Sequence, residues 1–272
     1  MKKLILIASF IFIAFEATSQ SSQQILKNRR GIAILPQIGE YAIGFGANPV
    51  FNYFGNMFNG SGNNSSPSPT FATPNQNLFF KYMKSNNTAY RVYFRLGLNS
   101  NTIKSNVVDK TPGALVNSTV VDVQKTKNNT IGLGFGIEKR KGATRLQGIY
   151  GCEAFINNTS GFDSKYTFGN KIENEDSGKV RTTLINSASN FTIGLRGFVG
   201  IEYFIAPKIS IGGELGYGAS FIFRSSAENT IENYDKNTTT LITKKTTVNP
   251  KSNSISLDTD NYNGIIKVLF YF

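Results

Sequence analysis

Alternation of apolar and polar residues with a period of two is the feature that most constrains the fold of this chain. The pattern begins at Glu40 and recurs in separate runs to the end of the sequence. Successive side chains of a β-strand point to opposite faces, so such runs are typical of strands with one apolar face. The sequence therefore predicts an all-β fold. The predicted strands lie at residues 40–47, 78–83, 90–99, 130–138, 145–156, 191–203, 209–223 and 262–272.

The connections between these predicted strands fall into two alternating length classes. Three are tight turns, at residues 85–88, 141–144 and 206–208. Four are long and rich in Asn, Ser, Thr and Lys, at residues 50–75, 100–129, 157–190 and 225–253. Short turns at one end and long loops at the other, with an even strand number, are typical of bacterial outer-membrane barrels. We therefore expect an eight-stranded antiparallel up-and-down transmembrane β-barrel with four long outer loops and three short periplasmic turns.

The charged residues of the predicted strands lie on the face opposite the aliphatic and aromatic stripe. They are Glu40, Lys81, Arg91, Arg95, Glu138, Arg145, Glu153, Arg196, Glu202, Glu214 and Lys267. A lipocalin-like soluble barrel is the alternative with eight antiparallel strands, and it would carry its apolar face inside. The position of the charges favours an apolar face that contacts lipid.

Eight strands enclose a space just wide enough for side chains to fill. We therefore interpret the inward charges as a structural plug rather than as a proton or ion pathway. Lys81 and Arg91 fall opposite each other across the 85–88 turn, and Glu40 and Glu138 are the carboxylates expected to neutralise them.

One pair of inward carboxylates has the residue types of a glycosidase site. Glu202 and Glu214 lie on one hairpin, and two carboxylates flanking a sugar are the usual glycosidase arrangement. A filled interior leaves no cleft for a sugar, so we expect ion pairs with Arg196 and Lys267 instead.

The first residues have the features of an export signal. Lys2 and Lys3 precede an apolar stretch at residues 4–15, and Ala17 and Ser19 provide the small residues that a signal peptidase reads. The stretch is shorter than the roughly 20 residues of a membrane-spanning helix. We expect a signal peptide at residues 1–19, a periplasmic N-terminal segment at 20–38, an outer-membrane barrel at 39–272, and no lipid anchor.

Composition narrows the chemistry further. The chain has no His and one Cys, which excludes Ser-His and Cys-His nucleophile pairs and a structural zinc site. We expect no enzymatic activity and no catalytic, cofactor-binding or metal-binding residues. The formal net charge is +12, and export makes nucleic acid an unsuitable partner.

Much of the positive charge lies at the short-turn end. It is carried there by Lys27, Arg29, Arg30, Lys84, Lys139, Arg140, Lys141 and Lys208. Two interpretations fit these residues equally: a basic rim for anionic phospholipid head groups, or simply solvated turns.

Several stretches resemble the small outer-membrane β-barrel domain proteins of Gram-negative bacteria, of the OmpA and OmpX kind. They lie at residues 89–98, 132–138 and 200–214, and the chain ends in Phe272. The resemblance implies that Phe272, Phe270, Val268 and Ile266 form the terminal signal read by the barrel-assembly machinery. It covers about residues 39–272 and transfers no function, because members of such a fold do different things.

The long loops are where we expect any binding function, since loops on a rigid scaffold commonly carry it. The first loop has an apolar cluster, formed by Phe51, Tyr53, Phe54, Met57 and Phe58, and a return containing Pro67, Pro69 and Pro74. We expect a plugged scaffold in the outer membrane whose loops bind or adhere to an extracellular ligand. The alternatives are a narrow, porin-like channel, a secretion or envelope accessory barrel, and a lipid-modifying barrel enzyme. The expected partners are outer-membrane lipids and, during biogenesis, the assembly machinery.

Overall fold

The computed structural model describes residues 26–47, 78–172, 179–235, 237–238, 240–259 and 265–272. Within these ranges the fold is all-β. Its strands are β1 (Tyr41–Gly46), β2 (Leu78–Ser85), β3 (Thr88–Val108), β4 (Thr119–Lys141), β5 (Leu146–Thr159), β6 (Asp163–Thr167), β7 (Val180–Asn186), β8 (Asn190–Ala206), β9 (Ile209–Arg224), β10 (Ala227–Asp235), β11 (Thr240–Asn249), β12 (Ser252–Thr259) and β13 (Ile265–Tyr271). None of the described residues forms a helix of the length and apolarity needed to cross a membrane.

Parts of the sequence-based expectation fall outside the described residues. These are the predicted signal peptide at 1–19, the aromatic cluster and prolines of the first long loop at 50–75, and the beginning of the last predicted strand.

Eight strands of the sheet pair in cyclic order along part of their length. β1 to β5 pair consecutively, β5 pairs with β8, β8 with β9, β9 with β13, and β13 returns to β1. All of these pairings are antiparallel. We call these eight strands the ring. They coincide with the eight runs of period-two alternation, and the three tight turns join β2 to β3, β4 to β5 and β8 to β9.

Three of the four connections predicted as long loops, at residues 100–129, 157–190 and 225–253, consist largely of strands, so for these three the prediction was wrong. β3 and β4 continue past the ring as one hairpin, while β6, β7, β10 and β11 pair in that order beside β4. We call these four strands, with the outer parts of β3 and β4, the outer sheet. Polar residues on both faces leave it without an apolar stripe. Its Thr, Val and Ile content nevertheless suits strands, and β3 and β4 extend the register of the ring.

An apolar cluster closes the short-turn end of the ring. Its buried members are Ile34, Ala42, Phe79, Met83, Ala89, Phe204, Leu269 and Tyr271. Ile34 comes from the described part of the predicted N-terminal segment, and its carbonyl accepts a hydrogen bond from the backbone N–H of Lys208 at 3.1 Å. The segment is thus held against the ring.

Apolar side chains cover the outward face of the ring. On β4, Ile131, Leu133, Phe135 and Ile137 are exposed, whereas the intervening residues are buried. Tyrosines gather on this face towards the short turns. Tyr41, Tyr82 and Tyr90 are cross-strand neighbours on β1, β2 and β3, and Tyr150 and Tyr203 lie on β5 and β8.

Small residues make room inside the ring. A Cβ atom on Gly200 would lie 2.3 Å from the carbonyl oxygen of Gly213, and one on Gly136 would lie 2.6 Å from that of Cys152. Real Cβ contacts are not this short, so the backbones there approach closely because these residues are glycine. The space between them is filled by the long charged side chains of neighbouring positions.

Candidate functional site

The interior of the ring contains a network of buried charges. Nine of the eleven residues predicted to face inward are buried: Lys81, Arg91, Arg95, Glu138, Glu153, Arg196, Glu202, Glu214 and Lys267. The other two, Glu40 and Arg145, lie half-buried near the short turns. Period-two alternation places these side chains on the inner face, and the strand register then decides which of them meet.

Glu214 is the centre of one half of the network. Arg91 donates two parallel hydrogen bonds to its carboxylate, each 3.0 Å long. Arg196 donates a third at 2.9 Å, and Lys267 forms an ion pair with the same group. The guanidinium of Arg91 also stacks over the ring of Phe198, 4.1 Å from its centroid. Two-pronged Arg–carboxylate pairing fixes geometry as well as charge, so this carboxylate is held rigidly.

Glu202 is the centre of the other half. Its carboxylate accepts hydrogen bonds from Lys81 at 2.9 Å and from the hydroxyls of Ser210 and Tyr271 at 2.7 Å each. Arg140 completes the group with a nitrogen 3.1 Å from the same carboxylate. A fully buried carboxylate needs such donors, because an unpaired charge in this environment is costly.

Two further carboxylates join the halves into one network. Lys81 donates to Glu138 at 2.9 Å, and the other oxygen of Glu138 lies 3.6 Å from Arg91. Glu153 accepts from Arg196 at 3.0 Å and lies 3.1 Å from Arg91 Nε. The chain of contacts therefore runs unbroken from Glu202 to Glu214.

The structure brings some predicted partners together and separates others. Lys81 and Arg91 are cross-strand neighbours and share Glu138. Glu214 meets both Arg196 and Lys267, whereas Glu202 pairs with Lys81 and Arg140.

Glu40 and Arg145 have partners at the short-turn end instead. Glu40 forms an ion pair with Lys208, and Arg145 donates to the carbonyls of Phe204 and Ile205 at 3.0 and 3.2 Å. Both sets of contacts lie beside the 206–208 turn.

The sequence pattern does not predict the interior position of Arg140, which it groups with the cations of the short-turn end. Its side chain is buried, donates to Gln147 at 3.0 Å and donates to the hydroxyl of Tyr271 at 2.8 Å. The signal was present, because Arg140 lies two positions after Glu138 and therefore on the same face of β4. Extending the alternation two residues past the end of the predicted strand at Glu138 would have found it.

A polar cavity of about 680 Å³ lies beyond the network, towards the outer sheet. Tyr93, Arg95 and Asn157 line one side of it, and the hydroxyl of Tyr93 contacts the amide oxygen of Asn157 at 3.3 Å. Asn190 on β8 and Arg224 on β9 also line it, and Arg224 donates to the Asn190 amide oxygen at 3.0 Å. The cavity offers hydrogen-bonding groups of both kinds to a polar molecule.

The outer sheet presents polar faces. Arg181 forms an ion pair with Glu232 between β7 and β10 and stacks over Phe168, 4.4 Å from its ring centroid. At the tip of the β3–β4 hairpin, hydrogen bonds from Thr111 lower the pKa of Asp109 below its ordinary value. β11 is exposed throughout, and its only strand partner among the described residues is β10.

The described residues contain no group of three or more His, Cys, Asp or Glu side chains placed to hold a metal ion. Glu202 and Glu214, the pair with glycosidase-like residue types, are each bound by at least two cations. The ion pairs of the network therefore hold the carboxylates of Glu202 and Glu214 in place.

Comparisons with known proteins give no family assignment. The chain matches no protein-family model, and a search of curated proteins returned no significant match.

Proposed function

We propose that this chain is an integral outer-membrane β-barrel protein of the small OmpA- and OmpX-like kind. In this proposal the eight-stranded ring crosses the membrane, the buried charges plug it, and the outer sheet stands outside the cell as a surface for binding or adhesion. The inverted polarity of the ring carries the proposal: apolar side chains face outward and the ionic network lies inside. An outward surface of Ile, Leu and Phe suits lipid and is unfavourable in water.

The length of the apolar surface fits a membrane. Outward residues of β8 are apolar or glycine from Phe191 to Tyr203, alternating with inward residues such as Arg196 and Glu202. Twelve steps of about 3.3 Å along a strand tilted by about 40° give a height of roughly 30 Å. An apolar band in outer-membrane barrels is about 25 Å tall, so this strand is long enough to cross.

The tyrosines support the orientation. Aromatic girdles lie at the membrane interfaces of such barrels, because an amphipathic ring suits the head-group level. Tyr41, Tyr82 and Tyr90 follow one another across three strands beside the short turns, with Tyr41 and Tyr82 rings 5.0 Å apart. In the proposal these residues mark the periplasmic interface.

The interior supports a scaffold rather than an open pore. The apolar cluster around Ile34 and Phe204 fills the short-turn end, and the network from Glu202 to Glu214 fills the next layer. The polar cavity lies above these layers and is lined in part by Arg95. Among the described residues, the polar cavity and the outer sheet are therefore the surfaces that could bind an extracellular ligand.

Membrane fractionation combined with gel mobility tests the proposal. Protein expressed with its own leader in a Gram-negative host should sediment with the outer membrane. It should also migrate differently on a gel before and after boiling, because a closed barrel has no free edge and resists detergent. Recovery from the soluble periplasm, with the same mobility before and after boiling, would contradict the proposal.

A further inference from the structure

An apolar groove of about 950 Å³ runs along the outward face of the ring near the short turns. Its centre is the row Ile137, Cys152, Gly197 and Tyr217, which are cross-strand neighbours on β4, β5, β8 and β9. The two small residues lie between two large ones, so the surface is recessed there. A Cβ atom added to Gly197 would meet nothing nearer than the carbonyl oxygen of Gly151 at 4.0 Å.

Two lysines stand at the short-turn end of this groove. The ammonium of Lys84 lies 5.3 Å from the ring centroid of Tyr90, and that of Lys139 donates to the Thr88 hydroxyl at 3.1 Å. Both side chains are thus oriented by neighbours on β3. The residues that line the groove in the described part of the chain include no Asp or Glu. The charge at this end is therefore positive and uncompensated within the groove.

We propose that this groove binds one anionic phospholipid of the inner leaflet of the outer membrane. The head-group phosphate lies between Lys84 and Lys139, and an acyl chain lies over Gly197 against Ile137 and Tyr217. This inference rests on the proposed function, because it requires the outward face to contact lipid.

The geometry matches an amphiphile. Ile137 is two residues beyond Lys139 on β4, about 7 Å along the strand, so the recess begins where an acyl chain leaves its head group. A volume of this size is within the range of small-molecule sites. Each Lys near an anionic lipid surface contributes about a fivefold gain in affinity, which gives the site its charge selectivity.

Native mass spectrometry of the full-length protein, stripped of lipid in detergent, tests the proposal. With dioleoyl phosphatidylglycerol the protein should retain a one-to-one adduct, and with dioleoyl phosphatidylcholine it should retain much less. Lys84→Ala combined with Lys139→Ala should weaken phosphatidylglycerol binding about 25-fold. Gly197→Leu should also abolish the adduct by filling the recess, and Cys152→Leu provides a second filling variant on the adjacent strand.

Matched controls separate a specific site from general attraction. Arg29→Ala with Arg30→Ala removes two exposed cations at the same end of the ring but outside the groove, and should leave the adduct unchanged. Gly213→Leu adds the same side chain at an outward position of β9 where an added Cβ meets nothing within 4 Å. Equal loss in the arginine variant, or an undiminished adduct in Gly197→Leu and Cys152→Leu, would overturn the proposal.

The same samples are run boiled and unboiled on a gel. Protein that shifts on boiling but binds no phosphatidylglycerol contradicts the lipid site and leaves the barrel proposal standing. Protein that does not shift contradicts both.

Discussion

Glu214 illustrates how a buried carboxylate is kept ionised in a small interior. Removing such a group from water costs several kcal/mol, and only close cations and hydrogen bonds offset that cost. Three cations surround Glu214, with Arg91 contributing a two-pronged contact. Removal of the carboxylate would leave Arg91, Arg196 and Lys267 close together without the negative charge that offsets their mutual repulsion.

Replacement of Glu214 by Ala should therefore destabilise the protein strongly. Breaking a buried ion pair typically costs about 3 to 5 kcal/mol, and the expected result is a lower urea midpoint for folded protein in detergent. Glu40→Ala is the control, because the Glu40–Lys208 pair is partly exposed and such pairs contribute about 1 kcal/mol or less. Equal effects of the two substitutions would show that the interior network does not stabilise the fold.

Arg140 and Lys141 provide a second test, because they are adjacent in sequence and differ in burial. Arg140→Ala removes donors to Gln147 and Tyr271 and should cost about 3 to 5 kcal/mol of unfolding free energy. Lys141 is exposed, and Lys141→Ala should change stability by about 0.5 kcal/mol or less. Parallel unfolding curves of the two variants and the wild type measure the difference. If Arg140→Ala unfolds like the wild type, Arg140 is a rim residue as the turn composition suggested.

At the scale of elements, the ring and the outer sheet differ in the strand pairings that hold them together. Each ring strand pairs with two ring neighbours. Among the described strands, β10 pairs only with β7 and β11, and β11 pairs only with β10. β12 differs from them because it pairs with β9 from Ser252 to Thr259. The ring should thus tolerate loss of β10 and β11 but not loss of β12.

Replacing residues 227–249 with a short Gly-Ser linker should leave the ring assembled. The expected result is an unchanged difference in gel mobility between boiled and unboiled protein, together with loss of any ligand bound by the outer sheet. Deletion of residues 252–259 is the contrasting variant, because it exposes the edge of β9. A deletion of 227–249 that abolishes the mobility difference would mean that the outer sheet is needed to form the ring.

The C-terminal aromatic residue makes a separate element-level prediction about assembly. Phe272 exchanges two backbone hydrogen bonds with Tyr41, at 2.9 and 3.0 Å, and its ring is exposed. Deletion of Phe272 removes both the backbone hydrogen bonds and the phenyl group, whereas Phe272→Ala removes the phenyl group alone. We expect Phe272→Ala to lower the amount assembled in the outer membrane, and Phe221→Ala, also exposed and outward, to have little effect. Equal amounts of Phe272→Ala and wild type in the outer membrane would assign Phe272 a lipid-facing role only.

At the scale of the whole molecule, the interior is filled in layers. The apolar cluster lies at the short-turn end, the ionic network follows, and the polar cavity opens towards the outer sheet. Eight strands leave little room beside such side chains. We therefore expect that the interior of the ring does not conduct ions.

Planar-bilayer recording checks this directly. The wild type should show no steady conductance of porin size, because ions would have to displace paired charges such as Arg91 and Glu214. A variant with several network residues shortened, for example Arg91→Ala with Glu214→Ala, is the comparison for an opened interior. Steady porin-sized currents through the wild type would favour the channel alternative.

The sequence by itself determined the ring strands and their two faces. Period-two alternation is a local property that each strand carries in its own side chains, so β4 could be assigned from Ile131 to Ile137 without its neighbours. The inward position of Glu138 and Glu202 followed from the same count. Arg140 obeyed the rule as well, although its place beside a predicted turn concealed it.

Only the tertiary structure decided the pairings inside the ring and the existence of the outer strands. The stagger between β3 and the distant β9 brings Arg91 to Glu214, 123 positions later in the chain, and no local pattern encodes that offset. β7, β10 and β11 carry polar residues on both faces. They become strands because β6, which pairs with β4, provides an edge on which β7, β10 and then β11 add. A period-two pattern arises where one face of a strand is buried or contacts lipid. Backbone hydrogen bonds to an existing strand edge need no such face, so the outer strands leave no pattern in the sequence.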